Sequence, residues 1–137
     1  MMSVVALLLA GGSVAPAAPD FKVIVHGSVT GSAISKNVLS EIYLGKTLRW
    51  RDNSLITPVE HSATSPLRAV FSESVLGMPV FAVQTHWMRQ MAAGVRPPVS
   101  KPTDAEVIEL VATRPGSIGY VSADATLPAA VRAVPVQ

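Results

Sequence analysis

The sequence predicts one α/β domain, and three observations lead there. β-rich runs alternate along the chain with amphipathic stretches that carry helix-start and helix-stop signals. The 137 residues are enough for one compact unit and too few for two full ones. Apolar residues make up 49% and charged residues 15%, which permits a buried core and excludes a disordered chain.

Taken in order, Phe21-Lys22-Val23-Ile24-Val25-His26 is a β-rich run closed by Gly27-Ser28, and so a strand. Ser35 can cap a following helix with Val38, Leu39, Ile42 and Tyr43 on one face and Gly45 as its stop. Leu55 to Val59 is a second short strand, with Pro58 limiting its ladder bonds. Ser65-Pro66 pairs a hydroxyl N-cap with proline at the first helical position. That helix should run to about Leu76, bury Leu67, Val70, Phe71 and Val75, and stop at Gly77. Another helix should span about Pro79 to Ala93. Pro97-Pro98 marks a loop. Thr103 with Glu106 forms a capping-box pattern for a helix burying Val107, Ile108, Leu110 and Val111. Pro115-Gly116 breaks it, Ile118 to Ser122 is a strand, and Val131 to Val136 is a candidate for the last one. The sheet should be at least partly parallel.

The N-terminus has the pattern of a targeting segment. Val4 to Ala10 is a short apolar run, followed by Gly11-Gly12 and by Ala15-Pro16-Ala17, a small-x-small cleavage pattern. Residues 1–17 are therefore expected to be a signal peptide and 18–137 the mature domain, in the periplasm or otherwise exported. No Lys or Arg precedes the run, which departs from the usual pattern. The run is too short for a stable membrane span.

Eleven Lys and Arg against nine Asp and Glu give a net charge of +2. The basic residues are scattered, with only Arg49 and Arg51 crowded around Trp50, so nothing resembles a nucleic-acid stripe. The absence of cysteine excludes disulfides and thiolate metal sites. His26, His61 and His86 lack metal-ligand spacing, and there is no nucleophile elbow, P-loop or dinucleotide fingerprint. No cofactor, metal or catalytic residue is expected, and the chain is read as a non-enzyme for want of a nucleophile–base pair. Asp104, Glu106 and Glu109 are read as solvent-facing complements of a helix N-terminus.

The best candidate site is His61-Ser62-Ala63-Thr64-Ser65-Pro66-Leu67-Arg68, between a strand end and a helix start. Free N–H groups and the helix dipole favour an anion there. Ser62, Thr64 and Ser65 supply hydroxyl donors, and Arg68 could supply a cation. The competing interpretation is plain capping by Ser65, with Arg68 a solvated surface charge.

Two segments carry a family resemblance. Leu39-Ser40-Glu41-Ile42-Tyr43-Leu44-Gly45-Lys46-Thr47-Leu48-Arg49-Trp50-Arg51-Asp52 resembles the L-x-x-I-F-x-G-K-x-x-x-W-x-D stretch of phosphate-binding ABC importer proteins. Arg114-Pro115-Gly116-Ser117-Ile118-Gly119-Tyr120-Val121-Ser122 is similar to their x-P-G-x-I-G-Y-V segment, and Lys22 to His26 to the strand before both. The order is right and nearly all of the mature chain is covered.

The resemblance implies one lobe of a type II periplasmic-binding-protein-like fold, with a mixed, mostly parallel sheet flanked by helices. The full family closes two lobes over one phosphate, and only the middle lobe is matched in these 137 residues. It also implies phosphate or a similar oxyanion as ligand and an envelope or ABC transporter partner. In the family an arginine precedes a Ser-Gly-Thr helix start by four residues. Here Ser65 falls on the serine, His61 on the arginine, Pro66 on the glycine and Leu67 on the threonine. Proline removes a backbone donor, leucine removes a hydroxyl, and a histidine is mostly neutral near pH 7 unless an anion favours its charged form. Arg68 is then a replacement cation at a shifted position. The expected function is weak oxyanion binding by a solute-binding-like module. The alternative is an envelope interaction protein that kept the lobe and lost the ligand.

Overall fold

A computed structural model describes residues 20–137. The expected leader, residues 1–17, and the start of the mature chain at Ala18 lie outside the described residues.

The elements run β1 (Phe21–His26), α1 (Lys36–Tyr43), β2 (Thr57–His61), α2 (Pro66–Phe71) continuing as a π-helical turn (Ser72–Leu76), α3 (Val80–Ala92), β3 (Val99–Lys101), α4 (Asp104–Thr113), β4 (Ser117–Ser122) and β5 (Val131–Val134). They form one five-stranded sheet in the order β3-β2-β4-β1-β5. β3, β2 and β4 are mutually parallel, whereas β1 is antiparallel to both β4 and β5. The sheet is mixed and flanked by helices, with parallel pairing at two of its four junctions.

Alternation along the strands divides the core between the two faces. Val23, Val25, Ile118 and Tyr120 join Leu39, Ile42, Tyr43, Phe71, Val83 and Trp87 on one face. Ile24, Val59 and Val121 join Val107 and Val111 of α4 on the other. Tyr43, Phe71, Trp87 and Ile118 thus share a single core. Aromatic rings knit that core: Phe71 stacks on Tyr120 at a centroid distance of 4.0 Å and meets Tyr43 edge-on at 4.8 Å. Gly119 lets α4 approach the sheet. A Cβ there would lie 2.9 Å from Val107 Cγ1 and 3.2 Å from Val111 Cγ2.

The caps act largely as the sequence suggests. Ser35 Oγ accepts from Val38 N–H at 3.1 Å, and Thr103 Oγ1 accepts from Glu106 N–H at 3.2 Å while donating to its carboxylate at 3.0 Å. Gly45 and Gly77 follow their helices with φ of +75° and +69°.

Two features differ from the sequence reading. β2 covers Thr57–His61 instead of Leu55–Val59: Leu55 is exposed and makes only an isolated bridge to Arg49, while Glu60 and His61 enter the sheet beside polar partners, Arg68 and Asp104. β3 is three residues long, too short to register as a periodic run, and takes its place by pairing with β2. In α3 only Val83 and Trp87 are buried, leaving Phe81, Met88 and Met91 exposed.

Candidate functional site

β2 ends at His61 beside the parallel ends of β3 and β4, and the chain turns at once into α2. Ser62 N–H donates to Lys101 carbonyl at 3.0 Å, and Ser65 N–H to Ser62 carbonyl at 2.9 Å, which closes the turn. Ser65 has the extended backbone of an N-cap and Pro66 follows at the helix start. Yet the Ser65 hydroxyl caps nothing. It lies 3.2 Å from His61 Nδ1 instead.

His61 organises the loop. Its ring stacks on Tyr120 at 5.5 Å, and its backbone N–H donates to the Tyr120 hydroxyl at 3.3 Å. On the far side of the ring, Nε2 is 2.9 Å from Asp104 Oδ1, close but not aligned as a hydrogen bond. Asp104 Oδ1 also accepts from Ser122 N–H at 3.2 Å. The expectation that Asp104 faces solvent at a helix start is thus corrected: its carboxylate turns inward and holds the ends of β2 and β4 together.

Arg68 requires a second correction. It is neither a solvated surface charge nor a free cation at the loop, because it is 5% exposed and packs beneath it. Its Nη1 lies 3.0 Å from Glu60 Oε1 and donates to the His61 carbonyl at 2.9 Å, while Nε finds no partner. The α2 register forces this, since Leu67, Arg68 and Phe71 share the buried side of the helix. Burial pushes the Glu60 carboxyl up to about 7, with Arg68 pulling in the opposite direction. Burial, reinforced by the Glu60 charge, likewise holds the Tyr120 phenol far above its usual range. Tyr43 rises for the same first reason, helped by Tyr120 and Glu60, and donates to the Val59 carbonyl at 2.8 Å.

The loop therefore brings together Ser62, Thr64, Ser65 and His61, with Thr64 exposed and Ser62 and Ser65 half-buried. It leaves Arg68 below, spent on Glu60. Sequence reasoning missed Glu60, Asp104 and Tyr120 as companions of His61. Two acids flanking a buried strand end were the available signal, but nothing in their spacing showed that they converge. The convergence also produces the chain Ser65–His61–Asp104, a nucleophile–base–carboxylate order that the sequence did not reveal. Acyl transfer further needs donors for an oxyanion, and Pro66 offers no N–H next to Ser65. Two cavities of about 500 Å³ each open elsewhere. Chemically the loop is a hydroxyl-lined hydrogen-bonding platform. The described residues contain no group of three or more His, Asp or Glu that could hold a metal. No single described helix is long and apolar enough to cross a membrane.

No protein-family model and no curated protein matches the chain. Solved structures do. An ABC-type phosphate transport receptor from Vibrio cholerae superposes with a TM-score of 0.67 at 18% identity, over 86% of this chain and 46% of that one. PstS from Borrelia burgdorferi superposes with a TM-score of 0.69 at 16% identity, over 87% of this chain and 47% of that one. The chain thus spans less than half the length of the structures it matches, and it shares with them one lobe of a periplasmic-binding-protein-like fold.

Proposed function

We propose that this chain is an exported, solute-binding-like module of the cell envelope, connected with phosphate ABC import, that holds phosphate or a similar oxyanion weakly. The observation that carries this reading is the release of the Ser65 hydroxyl from capping. It sits 3.2 Å from His61 Nδ1, beside Ser62 and the exposed Thr64, at a strand-to-helix turn of a lobe shared with phosphate receptors. Ser62, Thr64 and Ser65 donate to the anion, and His61 adds a donor and a charge when protonated. Arg68 contributes from below, by fixing the His61 carbonyl at 2.9 Å. Affinity is low because Thr64 is open to water and Arg68 is buried beneath the loop against Glu60.

Calorimetric titration with phosphate and with sulfate tests the reading. Millimolar binding that weakens with added salt is expected. Ser65→Ala and Thr64→Ala should each reduce it several-fold, and Arg89→Ala, on exposed α3 surface, should leave it unchanged. Export is checked separately, by a mature N-terminus at Ala18 in mass spectra of the envelope fraction.

One observation favours the second reading, a lobe that kept its shape and lost its ligand. Arg68 and His61 lie 3.0 and 2.9 Å from carboxylates of the same chain, so each basic side chain already has an acidic neighbour where an anion would compete. Absence of phosphate and sulfate binding at 10-fold above millimolar concentration would decide for that reading.

A further inference from the structure

At the opposite end of the sheet from the His61 loop lies a cavity of about 500 Å³, within the usual range of small-molecule sites. Its floor is apolar: Val25, Ile34, Ile42, Ile56 and Val134 all line it. The Arg49–Trp50–Arg51 cluster, the one crowding of positive charge in the sequence, forms its rim. Trp50 is held in place there, with Nε1 donating to the Gly116 carbonyl at 2.9 Å. Gly116 N–H in turn donates to Ser28 Oγ at 3.1 Å, tying the two sides of the cavity together. Gly116 has φ of +80°, and a Cβ there would collide with the Leu55 carbonyl, so the backbone packs closely behind the indole.

The charges at the rim are available. Arg49 Nη1 donates only to the Asn53 carbonyl, at 2.8 Å, which orients the guanidinium. Neither Arg49 nor Arg51 has an acidic group within ion-pair distance among the described residues. Asp52 also lines the rim, but its Oδ1 is taken by the Ser54 backbone N–H and hydroxyl. Two guanidinium groups against one carboxylate leave the mouth positive. An apolar floor penalises a wholly polar ion such as phosphate, which would lose its hydration shell without replacement donors. A ligand with an apolar body and one anionic end meets both requirements, and a guanidinium fork suits a carboxylate.

We propose that this cavity is a second ligand site, independent of the His61 loop, which binds a small amphipathic monocarboxylate with its chain on Ile34, Ile56 and Val134 and its carboxylate at Arg49 and Arg51. Methylene burial sets the expected gain: affinity climbs about three- to fourfold for each added CH₂ until the cavity is full.

The test uses butanoate, hexanoate and octanoate with the whole chain, followed by calorimetry and by amide and indole NMR shifts. Octanoate should bind at least tenfold tighter than butanoate and move the Trp50 indole and Gly116 amide signals while leaving Ser62 and Ser65 still. Arg49→Gln/Arg51→Gln, both at exposed positions, should weaken octanoate at least fivefold and leave octan-1-ol binding unchanged. Equal affinity across the acid series, shifts centred on the His61 loop, or an arginine variant that binds octanoate as the parent does would each overturn the proposal. Phosphate binding at the His61 loop stands or falls on its own titration and does not bear on this outcome.

Discussion

Replacing Arg68 with methionine should destabilise the lobe by an amount that depends on pH. Arg68 and Glu60 are each 5% exposed and lie 3.0 Å apart. Methionine fills much of the stem volume but removes the guanidinium, so at pH 8 a buried Glu60 must either stay ionised without its partner or take up a proton at a free-energy cost. Breaking a buried pair from one side in this way costs about 3–5 kcal/mol. The His61 carbonyl loses its 2.9 Å donor as well. At pH 5 the situation differs, because burial already holds Glu60 up to about 7 and losing Arg68 raises it further. A protonated Glu60 needs no countercharge, and the cost should shrink to the lost hydrogen bonds, about 1–2 kcal/mol. Urea unfolding at both pH values, followed by tryptophan fluorescence, measures the difference. The double variant Glu60→Gln/Arg68→Met should recover most of the pH 8 loss. A loss equal at pH 5 and pH 8, together with a double variant no better than the single one, would refute the reasoning.

Two further outcomes follow from the same core. Glu60 sits above its ordinary value of 4.5 in the folded state, so its stabilising contribution is complete below that value and is lost as pH rises through about 7. The unfolding free energy should fall by ~3 kcal/mol across that interval, and Glu60→Gln should abolish that part of the decline. Phe71→Ala should cost about 3–5 kcal/mol in chemical denaturation, because the ring is 1% exposed and touches Tyr43, Tyr120 and Phe21. A change within error would show that Phe71 does not pack as described.

Most of the fold could be read from local signals. The caps at Ser35 and Thr103, the proline start at Pro66 and the glycine stops at Gly45 and Gly77 each fix an element boundary through a few neighbouring residues. The site was less legible because its chemistry is tertiary. Arg68 looks like a surface cation until the helix register turns it under the loop. Asp104 looks like a dipole-complementing first-turn acid until α4 packs on β2 and β4 and brings it to His61. β2 was displaced by two residues for a related reason: Glu60 and His61 are polar, and only their partners on distant elements make their burial tolerable. Arg49, Trp50 and Arg51 were visible as a cluster, but the cavity beneath them is assembled from β1, α1 and β5 and has no sequence signature.

The position of β4 has a consequence for how the lobe assembles. β1 and β2 never pair with each other; β4 stands between them and is buried on both faces. A nascent chain that ends before Ser117 can zip β2 to β3 but cannot join that pair to β1. The sheet becomes one object only when β4, made after both, threads between β1 and β2, and β5 then adds to the outer edge of β1. Such late, long-range closure makes folding slow for a domain this small. It also leaves Val23, Val25 and Val59 without their sheet neighbours until β4 has been made, so the emerging lobe is a natural client for holding chaperones up to that point.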